Sequence, residues 1–363
     1  MPVTMALPSS GANYSRCTTG CARPSAACIE RKSKSLAIGL VNNMPDGALE
    51  TTEQQFVSLL NAASEDFSVN LSFYSLPGIS RSASAQKHID EHYKSTESLW
   101  DTELDGLIVT GKEPVAPNLS DEPFWPNFVN LLEWAREKTY STIWSCLAAH
   151  AAVLCMDGIP RVRNSQKYSG IIDSVRTAEH PITANLPDRF RLPHSRWNGL
   201  PESELIRAGY EVVIRADSAG ADCFVKQEES LFLFIQSHPE YQLETLLLEY
   251  RRDVARFLRG EAGTYPNVPQ GYFDQQVLQE LADVQREAAT RPHEETIGRL
   301  GLLLSTSGLE NGWHTTGAIL YKNWLQHISH EKRSRIQGRH AEVEVPSAMP
   351  PQVLLDSALL VQR

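Results

Sequence analysis

Short, almost wholly apolar runs alternate along the first half of the chain with segments of helical periodicity. Leu36–Val41, Asp105–Thr110 and Ser141–Ser145 are too short for buried helices and are bounded by polar or Gly/Pro-containing loops. That pattern suits strands buried on both faces. Leu49–Ala62 places Phe56, Leu59 and Leu60 on one helical face, Phe124–Lys138 is amphipathic, and Phe67–Tyr74 alternates as a strand does. Consecutive strands joined by helices have few packing solutions. The order predicts an α/β fold, a mainly parallel sheet with helices on both faces. Catalytic groups in such sheets gather beyond the carboxyl ends of the strands, near a switch in strand order.

Two of the strand ends carry reactive side chains. Cys146 follows the strand-like Ser141–Ser145 and precedes the Ala- and Leu-rich Leu147–Leu154. A thiol at a helix N-terminus meets unpaired N–H groups and the positive end of the helix dipole. Both favour a thiolate and can hold an oxyanion. A lone cysteine is otherwise more often a small buried hydrophobe. The second end is Leu231–Gln236, which runs into Ser237-His238-Pro239-Glu240. There a base and an orienting carboxylate stand two residues apart across a proline-stiffened turn. Taken alone it reads as a solvated turn histidine, but a parallel sheet can bring both ends together. His150, four residues beyond Cys146 on the same helix face, and His194 are rival bases.

Glu211–Ala216 continues the sheet, Gln242–Leu258 reads as a helix, and further helices are predicted over 275–288 and 313–328. The expected organisation is a flexible leader over 1–34 and a catalytic α/β domain over 35–265. A helical extension packed on the core (266–334) and a loose tail (335–363) complete it. A net charge of −10 argues against nucleic acid or anionic membranes as partners. No apolar stretch is long enough to span a bilayer, and the first residues lack a basic segment followed by an apolar one, so a cytoplasmic protein with reduced thiols is expected. Cys17, Cys21 and Cys28 are closely spaced but lack a second ligand pair, so no metal is expected there.

The motifs Asn43-Met-Pro45, Asp105-Gly-Leu-Ile-Val-Thr-Gly111, Phe124-Trp-Pro126, Ser141–Cys146, Lys167-Tyr-Ser-Gly170, Pro193-His-Ser-Arg196, His238-Pro-Glu-Tyr241 and Asn323-Trp-Leu325 occur in one order between Leu36 and Gln326. In that order they resemble the homoserine O-acyltransferase family, the homoserine transsuccinylases. The resemblance implies a flavodoxin-like fold similar to class I glutamine amidotransferases, and no bound cofactor. It also implies ping-pong transfer of an acyl group from acyl-CoA to the hydroxyl of L-homoserine, a step of methionine biosynthesis. Cys146 would carry the acyl group as a thioester, His238 would accept protons and Glu240 would orient it. Lys167, Ser195 and Arg252 would contact the amino-acid substrate. Val115 falls at the position associated with donor choice. It has no carboxylate to repel succinate, so succinyl-CoA is expected over acetyl-CoA. Trp197-Asn198 departs from the commonest family pattern, which leaves serine open as an acceptor. A homodimer also stays open. The rivals are a glutamine amidotransferase-like Cys-His-Glu hydrolase and a non-catalytic sensor. Trp144-Ser145 and Leu147-Ala148 lack the small glycines that usually flank a hydrolase's nucleophile.

Overall fold

The computed structural model describes residues 3–5, 26–290, 298–301, 303 and 312–342. Its strands are β1 (Val3–Met5), β2 (Ser35–Val41), β3 (Ser68–Tyr74), β4 (Gly106–Thr110), β5 (Ser141–Ser145), β6 (Val162–Arg176), β7 (Arg189–Gly199), β8 (Glu211–Ala216), β9 (Gly220–Gln227) and β10 (Leu231–Ile235). The helices used below are α1 (Ala26–Ser33), α2 (Leu49–Ala63), α3 (Ala83–His92), α4 (Thr96–Asp101), α5 (Trp125–Lys138), α6 (Leu147–Asp157), α7 (Glu202–Arg207), α8 (Thr245–Leu258), α9 (Gln275–Thr290) and a C-terminal helix, His314–Glu342.

One ten-stranded mixed sheet runs in the order β1-β3-β2-β4-β5-β10-β9-β8-β6-β7. From β1 to β10 every neighbour pair is parallel, and from β10 to β7 every pair is antiparallel. The strand order turns back on itself between β2 and β4, which is the switch point where a crevice opens. Residues on alternate sides of each strand separate into two cores. Leu36, Ile38 and Leu40 of β2 pack with α2, α8, α9 and the C-terminal helix. Leu107, Val109, Trp144, Phe232 and Phe234 pack with α4, α5 and α6. Phe56, Leu59 and Leu60 of α2 are all buried, as their spacing requires.

Three segments differ from the sequence expectation. Within the expected leader, β1 pairs with β3 and α1 packs against the C-terminal helix. β1 is only three residues long, too short for a sequence pattern to mark, and edge pairing gives it hydrogen-bond partners. The C-terminal helix continues past 335 to Glu342. Its buried residues end near Ser329, so its last turns lack the apolar period that marks a helix in a sequence. Its middle is core: Trp324 is fully buried and its Nε1 donates to Ser141 Oγ at 3.0 Å. Cys17, Cys21 and residues 343–363 lie outside the described residues. No described helix is long and apolar enough to cross a membrane.

Candidate active site

The site grows from the strand-to-helix corner at Cys146. There the backbone takes φ 49° and ψ −107°, a left-handed conformation that a side-chain-bearing residue adopts only when its surroundings enforce it. Two contacts do so. The Cys146 N–H donates to the Ile235 carbonyl at 2.7 Å, tying the corner to β10. On the other side Gly111, just past β4, touches the opening of α6. A Cβ on Gly111 would stand 2.3 Å from Leu147 Cβ and 2.5 Å from the Ala148 nitrogen. Because the Cys146 N–H is taken, the N–H groups free to meet an oxyanion are those that open α6.

Pairing of β10 with β5 sets Ile235 beside Ser145, so the two strand ends emerge together. The His238 N–H donates to the Pro193 carbonyl at 2.8 Å, and its ring stacks on Tyr241 at 4.2 Å between centroids. His238 Nδ1 lies 2.8 Å from Glu240 Oε1, which leaves the other ring nitrogen for an interaction with Cys146. Burial works against a charged imidazole here, but Cys146 and Glu240 outweigh it. His238 is therefore held protonated well above its ordinary pKa. One residue earlier, the Ser237 N–H donates to Asp222 Oδ1 at 2.7 Å. Asp222 is fully buried, and burial pushes its carboxyl up to about 6 against the pull of Arg196.

Neither rival histidine can serve as base. His150 is fully buried in α6, with Nε2 2.8 Å from Gln236 Oε1, and burial lowers it to about 3. His194 is also fully buried, 3.7 Å from Asp222 Oδ2, and burial followed by the charges of Arg196 and His238 holds it neutral.

Lys167, Ser195 and Arg252 meet on the His238 side. A register shift in the β6–β7 pairing between Arg163 and Tyr168 sets Lys167 on a bulged strand. From there Lys167 Nζ reaches Asp253 Oδ2 at 2.8 Å and Glu249 Oε2 at 3.4 Å. Ser195 Oγ donates to Glu249 Oε2, and Tyr241 OH donates to Glu249 Oε1 at 2.7 Å. Arg252 forks onto Asp253 Oδ1 from Nε at 3.1 Å and from its terminal nitrogen at 3.0 Å. Burial raises the Glu249 and Asp253 carboxyls, but Lys167 and the other donors more than offset it, and both lie below their ordinary values.

A thiol, an imidazole and a carboxylate thus sit beside a cluster of paired cations and carboxylates. The profile of the family described as homoserine O-succinyltransferase matches residues 21–335. The chain belongs to that family. A homoserine O-succinyltransferase of Rhodopseudomonas palustris is 43% identical over 82% of this chain and 90% of its own length. A homoserine O-succinyltransferase of Bradyrhizobium japonicum is 40% identical over 81% and 90%. Among solved structures, a glutamine amido transferase from Methylobacillus flagellatus covers 81% of this chain and 95% of its own at 15% identity and a TM-score of 0.44. Membership of the homoserine O-succinyltransferase family makes the chain an acyltransferase.

Val115, expected at the family position for donor choice, is 85% exposed. Its loop is pinned from below by Glu122, whose Oε1 accepts the N–H groups of Val115 and of Ala116, the latter at 2.6 Å, and whose Oε2 pairs with Lys112 at 3.6 Å. The Val115 side chain therefore faces solvent. Sequence reasoning missed Glu249, Asp253 and Asp222. For the first two a signal existed, since Glu249, Arg252 and Asp253 share one face of α8 at i, i+3 and i+4. Asp222, a single carboxylate within β9, gives none.

Proposed function

We propose that this chain moves the succinyl group of succinyl-CoA to the side-chain hydroxyl of L-homoserine through a thioester on Cys146. Cys146 Sγ attacks the thioester carbonyl, and the N–H groups opening α6 receive the developing oxyanion. The carbon–sulfur bond to CoA then breaks, and His238 passes its proton to the departing CoA sulfur. In the second half, His238 takes the hydroxyl proton of homoserine as its oxygen attacks the Cys146 thioester. The bond to Cys146 breaks, restoring the thiolate beside a protonated His238. Glu240 holds the tautomer and stabilises the imidazolium in both halves. Exchange of one thioester for another is nearly balanced, so the rate gain comes from positioning and from the oxyanion donors.

The acceptor's zwitterion fits the neighbouring cluster. Arg252 and Lys167 offer donors to its carboxylate, and Glu249 and Asp253 offer acceptors to its ammonium. A reactive thiol and an acyl-CoA co-substrate support the expected cytoplasmic location. The observation that carries the reading is the His238–Glu240 contact at 2.8 Å on a ring whose charge Cys146 also favours.

Intact-mass spectrometry after mixing with succinyl-CoA, with homoserine withheld, tests it. One succinyl group should appear, be absent from Cys146→Ala, and be discharged when homoserine is added. A protein that gains no succinyl group, or gains it equally as Cys146→Ala, refutes the mechanism.

A further inference from the structure

With the Val115 side chain facing solvent, some other group must read the charge at the far end of a succinyl donor. Besides His238, the cations whose charge reaches Cys146 or Glu122 are Lys112, Arg161 and Arg196. Two of them are committed. Arg196 is buried and donates to Gln236 Oε1 at 2.9 Å, Asn198 O at 3.1 Å and Ala219 O at 2.6 Å. Lys112 is held by Glu122. Arg161 is different. Among the described residues its half-buried guanidinium has no hydrogen bond and no carboxylate within 4.0 Å.

The backbone sets Arg161 in the short link between α6 and β6. Gly158 caps α6 in the left-handed conformation, and Ile159 turns into the core beneath the helix. The chain then doubles back through Pro160 to enter β6 at Val162. Arg163, two residues on, is occupied over the Trp197 ring, 4.2 Å from its centroid. The Arg161 charge is felt by Cys146 and His150, at the N-cap and inside α6, and by Glu122, which holds the Val115 loop. Burial, and then the like charge of Arg163, disfavours the Arg161 cation more than Glu122 and Cys146 favour it.

We infer that Arg161 binds the distal carboxylate of the donor's succinyl group and so selects a dicarboxylic acyl-CoA over acetyl-CoA. The proposal rests on the transfer reading above. A succinyl group on Cys146 ends in a carboxylate two methylenes beyond the reacting carbonyl, whereas an acetyl group ends in a methyl. A partly desolvated guanidinium without a partner can take that carboxylate in a bidentate grip.

The test measures formation of the Cys146 adduct from succinyl-CoA and from acetyl-CoA in the absence of homoserine, which removes any role in acceptor binding. Loss of one charge-assisted contact predicts that Arg161→Gln slows succinylation about 30-fold relative to acetylation. Arg161→Lys, which keeps the charge but not the fork, should recover part of that ratio. Equal slowing of both donors in Arg161→Gln, or no change in their ratio, overturns the assignment while leaving the transfer mechanism intact. An unmodified protein that forms no adduct with either donor removes both.

Discussion

Gly111→Ala should separate the positioning of the site from the stability of the fold. The added methyl would stand 2.3 Å from Leu147 Cβ, with the Ala148 nitrogen and the Leu147 carbonyl carbon at 2.5 and 2.6 Å, whereas ordinary contacts begin at 3.4 Å. The strand end and the helix opening must therefore part by about 1 Å, and two of the opposing atoms are backbone, which cannot rotate away. That opening holds Cys146 and the N–H groups proposed to receive the oxyanion. A displacement of this size lowers a rate about 100-fold. The global cost is smaller: overpacking of this kind destabilises by about 1–3 kcal/mol, and removing a glycine from the unfolded chain offsets about 0.4–1 kcal/mol. The expected outcome is thioester formation slowed about 100-fold in a protein whose urea midpoint falls only modestly. Rapid-quench mass spectrometry reads the first quantity and urea unfolding the second. Gly47→Ala is the control, since a methyl there meets nothing within 4 Å. Adduct formation within about threefold of the unmodified rate in Gly111→Ala would show that this contact does not position the nucleophile.

Glu240→Gln keeps a hydrogen-bond partner for His238 but removes the charge that stabilises the imidazolium, so thioester formation should slow about 100-fold or more; stopped-flow rates within threefold of the unmodified enzyme, about 0.7 kcal/mol, would argue against an orienting role. His150 titrates near 3 in the folded protein against an ordinary 6.5, so below pH 6.5 the unfolded chain takes up a proton that the folded one refuses. Its contribution is present above pH 6.5 and is lost as pH falls towards 3, amounting to about 2 kcal/mol by pH 5. His150→Gln should flatten the loss of stability between pH 7.5 and 5 by about that amount; identical slopes in urea titrations would contradict it. Trp324→Ala removes a fully buried ring and its bond to Ser141, and should cost about 3–5 kcal/mol; a loss below 1 kcal/mol would mean that the C-terminal helix is not core. Glu249→Gln should slow discharge of the thioester by homoserine about tenfold more than its formation, and equal slowing in single-turnover assays would place Glu249 outside the acceptor site.

The parallel half of the sheet was legible because its strands are uniformly apolar and its helices periodic. Leu36–Val41, Asp105–Thr110 and Leu231–Gln236 each match the observed strand to within a residue. In the antiparallel half Glu211–Ala216 matches β8, but the longest strands were not legible. β6 reads Val-Arg-Asn-Ser-Gln-Lys-Tyr and is largely exposed until Gly170, so it shows neither an apolar run nor clean alternation. Cys146, His238 and Glu240 could be found because reactive side chains at the ends of apolar strands leave a local signature. Lys167 and Ser195 came only through family resemblance, since the bulge and pairing that aim them at Glu249 are tertiary facts. The donor-side expectation failed to account for the loop. Nothing in Lys112–Pro117 shows that a buried Glu122 holds it with Val115 turned outwards.

The distribution of charge around the thiol matches what each substrate brings. On the acceptor side, the cations of Lys167 and Arg252 are already balanced by the carboxylates of Glu249 and Asp253. An incoming homoserine is itself a zwitterion. It can exchange ion pairs with this cluster without burying net charge, which avoids the desolvation penalty that a lone buried ion would carry. Succinate differs, because its distal carboxylate enters with one uncompensated negative charge. A balanced cluster would hold it poorly, and an unpartnered cation would hold it well. Arg161 has that character on the donor side, and no residue of the acceptor cluster does. In the proposed reaction the two faces of the site are thus sorted by net charge. A donor lacking the carboxylate leaves Arg161 as unpaired as it was before binding, so discrimination against acetyl-CoA needs no steric barrier at Val115.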